Sequence, residues 1–197
     1  LKKNFNNLKK NLVGGFNLSC IGDERQHSCM LSKYQNSLSD KSIIEAYKNL
    51  NLKHKIYSFL ERGSDERQYN SPGIDLGISS IFRSKYAEYP EYHTSLDNFD
   101  LVTLKGVQGG FNVAKTAIKI LLKKIVPKNK ILCEPNMGKR GLYPTISLGG
   151  RPSEDIMNFL IYADGKNDLG TISKYINKNY STTKKLYKFL KMKKLII

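Results

Sequence analysis

The spacing of apolar residues changes along the first two thirds of the chain, and each change marks a strand or a helix. Phe16, Leu18 and Cys20 alternate with polar neighbours, which predicts a buried strand at 13–21. Short apolar runs predict two further strands, at 55–60 and 77–82. Strands separated by helices and short connections are typical of an α/β sandwich.

Two longer segments carry apolar residues every three to four positions, which is the spacing of a helix with one buried face. The first helix is predicted at 40–52, with Asp40 as its N-cap. The second is predicted to follow the candidate caps Asp100 and Thr103 and to continue through Ile125. Its expected buried stripe consists of Val107, Phe111, Ala114, Ile118, Leu121 and Leu122.

The last part of the chain changes pattern, with three short helical segments and an apolar end. Ser153, Asp168 and Ser181 are candidate caps for these helices, and Leu195-Ile196-Ile197 predicts a terminal strand. This order predicts a small winged helix. The expected domain organisation is a catalytic-type part at 1–127, a linker or domain-end segment rich in Pro, Gly and Lys at 128–150, and the winged helix at 151–197.

The formal net charge of +16 raises the question of a nucleic-acid partner. Most of this charge is lysine spread along the chain, whereas bidentate recognition of bases and phosphates uses arginine. Lys184, Lys185, Lys188 and Lys191 nevertheless fall on the third predicted helix of the winged helix, where helix-turn-helix proteins read DNA. A lysine face is also common on helices that meet only solvent, and winged helices also dock proteins or form oligomers.

Other features of the sequence argue against several classes of site and partner. No apolar run approaches the roughly 18 residues of a membrane span, so no membrane partner is expected. Cys20, Cys29 and Cys133 include no Cys-x-x-Cys pair, which argues against a disulfide framework and against a closed structural zinc site. A reducing, cytoplasmic setting fits this usage, with Cys20 expected to be a small core residue.

Polar and charged residues lie on both sides of the apolar strand predicted at 77–82. Residues 63–69 precede it as Gly-Ser-Asp-Glu-Arg-Gln-Tyr, and residues 91–97 follow it as Glu-Tyr-His-Thr-Ser-Leu-Asp. Enzymes of the α/β class build their sites on loops that rigid strands support. A solvated loop with unrelated charges has the same composition, so the pattern alone leaves both interpretations open.

The same stretch resembles two related groups of bacterial proteins. Gly63-Ser64-Asp65 before a Pro-Gly-Ile turn, followed by His93-Thr94-x-x-Asp97, is similar to the late part of co-catalytic zinc aminopeptidases of the bacterial leucyl type. The stretch is more similar still to a bacterial aminopeptidase-like family, and this resemblance extends from about Val13 to Ile197. It implies a partial aminopeptidase-like α/β sandwich (phosphorylase/hydrolase-like) followed by a winged helix-turn-helix domain. It also implies that the early part of the catalytic domain is missing here.

The resemblance implies roles for residues of this stretch. His93 would bind zinc, and Asp97 would support the imidazole through its other ring nitrogen or organise the turn. Asp65 and Glu66 are the candidate catalytic carboxylates, with a structural ion-pair loop at 65–67 as the competing interpretation. The candidate substrate-binding residues are Arg67, Tyr69 and Tyr92.

One position departs from the aminopeptidase pattern. The segment Leu18-Ser19-Cys20-Ile21-Gly22 is similar to a strand that reads Leu-Asp-Met-x-Gly in better-known members, where the aspartate binds a second zinc. Ser19 stands at the place of that aspartate, and a neutral hydroxyl is a poor zinc ligand. A single zinc, or a second site rebuilt around Asp23, is therefore expected, and Asp23 as a plain turn residue is the alternative.

These interpretations give two hypotheses of function. The first is a zinc-dependent, aminopeptidase-like hydrolase of a peptide or amide bond, to which this chain supplies the last zinc-ligand loop and a winged helix for docking or homo-oligomer formation. Because the other expected ligand and glutamate motifs are not found in these residues, the chain alone is expected to bind zinc weakly and to be nearly inactive. The alternative is a nucleic-acid-binding protein, or a scaffold in a surface-polysaccharide pathway, on a catalytically silent aminopeptidase-like fold.

Overall fold

The computed structural model describes residues 1–142 and 152–197, which form two compact units, Leu1–Lys123 and Lys124–Ile197. The first unit contains strands β1 (Phe16–Leu18), β2 (Ser28–Met30), β3 (Lys55–Tyr57) and β4 (Ser79–Phe82), and helices α1 (Phe5–Asn11), α2 (Leu38–Asn49), α3 (Glu66–Tyr69) and α4 (Leu104–Lys123). The second unit contains helices α5 (Pro152–Tyr162), α6 (Leu169–Tyr175) and α7 (Tyr180–Met192). The predicted α/β fold class is confirmed. Among the described helices, none combines the length and apolarity that crossing a membrane requires.

The described strands form one sheet in the order β1-β4-β2-β3. β1 is parallel to β4 and β2 is parallel to β3, whereas β2 and β4 are antiparallel. β2 was not predicted, because its three residues are all buried and too few to show either period. One face of the sheet packs against α2 and α4, and the other packs against an aromatic cluster that includes Phe82 and Tyr86.

Helix α2 begins earlier than predicted, and Asp40 is not its N-cap. Ser37 is the N-cap, and its hydroxyl accepts a hydrogen bond from the backbone N–H of Asp40 at 3.0 Å. The Asp40 carboxylate accepts in return from the Ser37 backbone N–H at 2.9 Å, which completes a capping box. Asp40 also accepts from the hydroxyl of Ser79 in β4 at 2.7 Å, so this buried carboxylate ties the start of α2 to the sheet.

The buried face of α4 differs from the predicted stripe. Val107, Phe111, Ile118 and Leu122 are exposed, so the prediction is wrong for them and right for Ala114 and Leu121. The face that packs inward is made mostly of small residues: Gly106, Gly110, Val113, Ala114, Ala117 and Leu121. The physical reason is a close backbone approach, because a Cβ on Gly106 would lie 1.8 Å from the carbonyl oxygen of Gly22.

The second unit is built around its own apolar core, to which α5, α6, α7 and the C-terminal residues all contribute. Asp168 caps α6, as predicted, by accepting from the backbone N–H of Thr171 at 2.8 Å. The cap of α7 is Asn179 and not Ser181, since the Asn179 side chain accepts from the N–H of Thr182. Ser153 lies inside the first turn of α5.

Backbone pairing joins the start of this unit to its end. The N–H of Ile197 donates to the carbonyl of Lys128 at 2.9 Å, and the N–H of Lys130 donates to the carbonyl of Leu195 at 2.9 Å. Residues 128–142, part of the segment predicted as a linker or domain end, also place Met137 in the apolar core. The rest of that segment, at 143–150, lies outside the described residues.

Candidate functional site

The candidate site lies on loops at one edge of the sheet. Because β1 and β4 are parallel neighbours, their carboxyl ends share an edge, which is where open α/β sheets place ligands. The Asp23 loop, residues 19–27, follows β1. Residues 83–103 follow β4 and include the His93 loop, residues 91–97.

Asp23 joins the two segments that follow β1 and β4. Its buried carboxylate accepts from the backbone N–H of Ser84 at 2.7 Å and from the Ser84 hydroxyl at 2.8 Å. It also accepts from the backbone N–H of Arg25 at 2.9 Å. The backbone carbonyl of Asp23 also accepts a hydrogen bond from Nε of Arg83 at 2.7 Å. Asp23 therefore organises this edge of the sheet, and its predicted support of a metal stays a prediction.

An arginine fork connects the Asp23 loop to the His93 loop. Nη1 and Nη2 of Arg25 donate to the two carboxylate oxygens of Glu91 at 2.8 and 2.6 Å. These hydrogen bonds lower the pKa of Glu91 to about 2, so Glu91 is ionised at neutral pH. Neither residue was predicted as part of the site.

His93 is presented on the surface in an unusual backbone conformation. Its φ is 61°, in the left-handed region that few residues other than glycine adopt. Its ring stacks on that of Tyr92, with centroids 4.0 Å apart and planes 19° apart. The predicted metal ligand is therefore exposed, and an adjacent predicted site residue supports its ring.

Asp97 is linked to the Asp23 loop through a tyrosine. The Tyr89 hydroxyl donates to Oδ2 of Asp97 at 3.2 Å. Burial and a hydrogen bond with Cys20 raise the pKa of Tyr89, and Asp97 raises it further. Cys20 does not lie in β1 as predicted, because the strand ends at Leu18 and Cys20 has a left-handed φ of 48°. Its half-buried thiol thus belongs to the candidate site.

Glu66 lies in the Glu66 loop, residues 63–70, and its side chain is buried among hydrogen-bond donors. The hydroxyl of Tyr86 donates to Oε1 at 2.6 Å. Burial raises the pKa of Glu66, but the hydrogen bonds outweigh this effect and hold the pKa below its usual value. The other donors to its two oxygens are the backbone N–H groups of Gly63 and Ser64 and the side chains of Asn17 and Ser80.

The remaining predicted residues of the Glu66 loop lie nearer to solvent. Asp65 and Arg67 are exposed, and Arg67 donates from Nε to the carbonyl of Ser64 at 3.2 Å. Tyr69 is half-buried. Among the hydrogen bonds and ion pairs of the described residues, none joins Asp65 or Arg67 to the His93 loop. The link between the two loops is aromatic, with Tyr86 and Tyr92 ring centroids 6.3 Å apart.

The structure adds one titratable pair that the sequence did not indicate. Nη1 of Arg83 contacts the ring nitrogens of His27. Burial and the Arg83 charge lower the pKa of His27 to about 4, so this histidine is neutral at pH 7. The charged residues after β4, which include Arg83, could have indicated this pair, but His27 lies 56 residues earlier in the sequence.

The donor set for a metal is incomplete in the residues described. Within 1–142 and 152–197, no group of three or more histidine, cysteine, aspartate or glutamate side chains is arranged to hold a metal ion. His93 alone has the chemistry and exposure of an imidazole ligand at this edge, and zinc sites need about four ligands. A metal centre would therefore require donors from outside these residues.

A cleft lies beside the His93 loop. It has a volume of about 470 Å³ and is lined by residues of both post-strand segments, among them Glu24, Arg25, Glu91 and Leu96. The Arg25–Glu91 fork forms part of its wall. Glu24 is paired with Lys105 at 2.8 Å, and Asp100 adds a further carboxylate to the lining.

The fold and site together define an α/β domain of aminopeptidase-like type followed by a winged helix. Residues 1–124 match the family described as "Domain of unknown function (DUF4910)", and the chain belongs to that family. Residues 125–197 match the winged helix-turn-helix family. The predicted winged helix is thus confirmed.

Two relatives from Clostridium acetobutylicum carry peptidase-related descriptions. One, described as a presumed polysaccharide biosynthesis protein with an aminopeptidase-like domain, is 31% identical over 169 residues, covering 81% of this chain and 38% of the relative. The other is a crystal structure described as a presumed peptidase, with a TM-score of 0.61, 27% identity and coverage of 100% of this chain and 44% of that one. The predicted family is confirmed, and the chain spans about two fifths of these relatives.

Proposed function

We propose that this chain forms part of an aminopeptidase-like zinc hydrolase that cleaves a peptide or amide bond, with His93 as one zinc ligand. The observation that carries the proposal is the presentation of His93 on an exposed, braced loop at the carboxyl edge of the sheet. The peptidase-related descriptions of both relatives support the class of activity. The remaining ligands and the general base would come from outside the described residues.

Several residues of this chain would have separate roles at such a site. Bound zinc would polarise the scissile carbonyl and lower the pKa of a water molecule to about 7. His93 would coordinate, and Tyr92 would hold the plane of its ring. Glu66 would hold the adjacent loop, because its oxygens already accept hydrogen bonds from several donors. Exposed Asp65 and Arg67 would be free to meet charged ends of a substrate.

Zinc content after dialysis tests the proposal directly. The chain is expected to retain weakly bound zinc, His93→Ala is expected to lose it, and Cys133→Ser is expected to keep it. Cys133 is the matched control because it is an exposed thiol that could bind zinc adventitiously. Equal zinc in the chain and in His93→Ala, or no zinc in either at millimolar metal, would overturn the assignment of His93. Peptidase activity of this chain equal to that of a full-length relative would overturn its partial character.

A second candidate function, nucleic-acid binding, is favoured by one face of α7. Thr183 and Leu190 are buried, and the opposite face presents exposed lysines with no acidic residue in the helix. These lysines are Lys184, Lys185, Lys188 and Lys191. Ammonium groups on one helix face can neutralise successive phosphates without reading bases.

Salt dependence of duplex DNA binding tests this second candidate. Four phosphate contacts predict a slope of log affinity against log salt of about −3.6. Changing the four lysines to glutamine should abolish the slope. The same charge change at Lys48, Lys53, Lys119 and Lys123, which are exposed in the first unit, should leave most of it. Equal losses in both variants would show that only net charge matters.

A further inference from the structure

The His93 loop is fastened to the rest of its unit at Glu91. The Thr94 hydroxyl donates to the Glu91 carbonyl at 2.8 Å and accepts from the N–H of Leu96 at 3.1 Å. The Thr94 N–H also donates to the Glu91 carbonyl at 3.0 Å. The turn that contains His93 is thus built on the backbone of Glu91, while the Glu91 side chain is held by Arg25.

The backbone of Arg25 is anchored, so its side chain extends toward Glu91 from a fixed point. Its backbone N–H donates to Asp23, whose carboxylate is bonded to Ser84 at the end of β4. A second contact supports this base, since Gly106 of α4 packs directly on Gly22 and Asp23. A continuous series of contacts therefore runs from the sheet through Asp23, Arg25 and Glu91 to His93.

The backbone conformation of His93 depends on support from surrounding contacts. A left-handed φ at a non-glycine residue is less favourable than the ordinary regions and persists when surrounding contacts impose it. The stack on Tyr92 fixes the direction of the ring. Without the fork, the turn would keep the contacts within the loop, the Tyr89–Asp97 hydrogen bond and the packing of Tyr92 against Tyr86 and Tyr89, but the Glu91 side chain would lose its tie to the Asp23 loop.

We infer that Arg25 is a positioning residue for His93, acting through its fork on Glu91 to present the imidazole for coordination. The metal part of this inference rests on the proposed zinc hydrolase. Exposed ion pairs contribute little to overall stability, so Arg25 serves the geometry of the loop and not the folding of the unit. The guanidinium is needed for its two parallel donors, which lysine cannot reproduce.

Arg25→Gln in the full chain tests the inference by NMR of the His93 ring. The wild-type ring should show the upfield shift of a ring stacked on Tyr92, and Arg25→Gln should move this shift toward that of a free histidine. In a zinc chloride titration followed at the same resonances, Arg25→Gln should bind zinc on the order of 10-fold more weakly. The reversed pair, Arg25→Glu with Glu91→Arg, should recover most of both signals, and Arg25→Lys should recover only part.

Lys105→Gln is the matched control, because it breaks the neighbouring Glu24–Lys105 ion pair and leaves the fork intact. Both signals should remain at their wild-type values. An unchanged ring shift and zinc affinity in Arg25→Gln would overturn the inference while leaving zinc binding by His93 intact. A wild-type His93 ring that fails to respond to zinc would instead overturn the proposed function, and with it the metal part of the inference.

Discussion

The Glu66 loop is fastened by a carboxylate that is only 1% exposed, whereas the His93 loop is fastened by an ion pair whose arginine side chain is 47% exposed. In the first case several donors converge on one buried anion, so the loop and the sheet form one packed body. In the second case two side chains meet at the surface, where water can replace either partner. The buried Glu66 carboxylate is expected to contribute to the free energy of unfolding. The exposed Arg25–Glu91 ion pair is expected to determine the geometry of the His93 loop.

This difference also separates residues that the resemblance placed together. Glu66 and His93 were both expected to take part in catalysis, but only His93 has an exposed side chain that a ligand can reach. The Glu66 carboxylate is surrounded by its own protein's donors. Position within a motif therefore does not distinguish a group that meets substrate from one that holds the loop in place.

Replacing the buried carboxylate should have the largest effect. Glu66→Ala removes the acceptor of several buried donors, and an unpaired buried polar group costs about 1–3 kcal/mol, so a total loss of about 3 kcal/mol or more is expected. The measurement is chemical denaturation of the chain, followed by signals of the first unit. Glu91→Ala is the matched control and should cost clearly less. Equal losses would contradict the contrast between the two fastenings.

Gly106→Ala should weaken the base that supports the His93 loop. A Cβ at this position would lie 1.8 Å from a backbone oxygen, so α4 or the Asp23 loop must move, and overpacking of this kind costs about 1–3 kcal/mol. Gly170→Ala is the control, because its Cβ would have its nearest contact at 3.7 Å in helix α6. That change should be neutral or stabilising by up to about 1 kcal/mol. A neutral Gly106→Ala would show that the close approach is not needed.

The contrast between the faces of α4 shows what sequence reasoning could and could not establish. The apolar spacing located the helix and the loops around His93 correctly. It did not establish which face of α4 is buried. That face is decided by Gly106 and Gly110, which pack on the backbone of residues 21–23, and these residues are distant in sequence. The Arg25–Glu91 fork was missed for a similar reason, since its members belong to different loops. Local sequence patterns indicate the type of each element and the motifs. The contacts that support the site join residues that are distant in sequence, so local patterns do not reveal them.

Tyr86→Phe should have a smaller effect on the buried fastening. Its hydroxyl donates to Glu66 and accepts from the N–H of Gly63, each at 2.6 Å. Loss of a hydrogen bond to a charged group costs about 1.5–3 kcal/mol, and Glu66 keeps its four other donors, so the loss should lie near the lower value. Tyr92→Phe, which keeps the ring that stacks on His93, is the control and should leave stability unchanged. A larger loss from Tyr92→Phe would place the decisive hydrogen bond in the His93 loop.

The pH dependence of stability should show the smallest effect and should trace to His27. Its pKa is about 4 in the folded chain because of burial and Arg83, and near 6.5 when unfolded. Between these values the unfolded state binds the proton that the folded state excludes, so stability should fall as pH is lowered from about 6.5 to 4. Carboxylates with lowered pKa, such as Glu66, add their loss only below about 4.5. Thermal unfolding measured from pH 7 to 5 should therefore show this slope in the wild-type chain and lose it in His27→Gln. A slope that persists in His27→Gln would show that a group other than this buried imidazole takes up the proton.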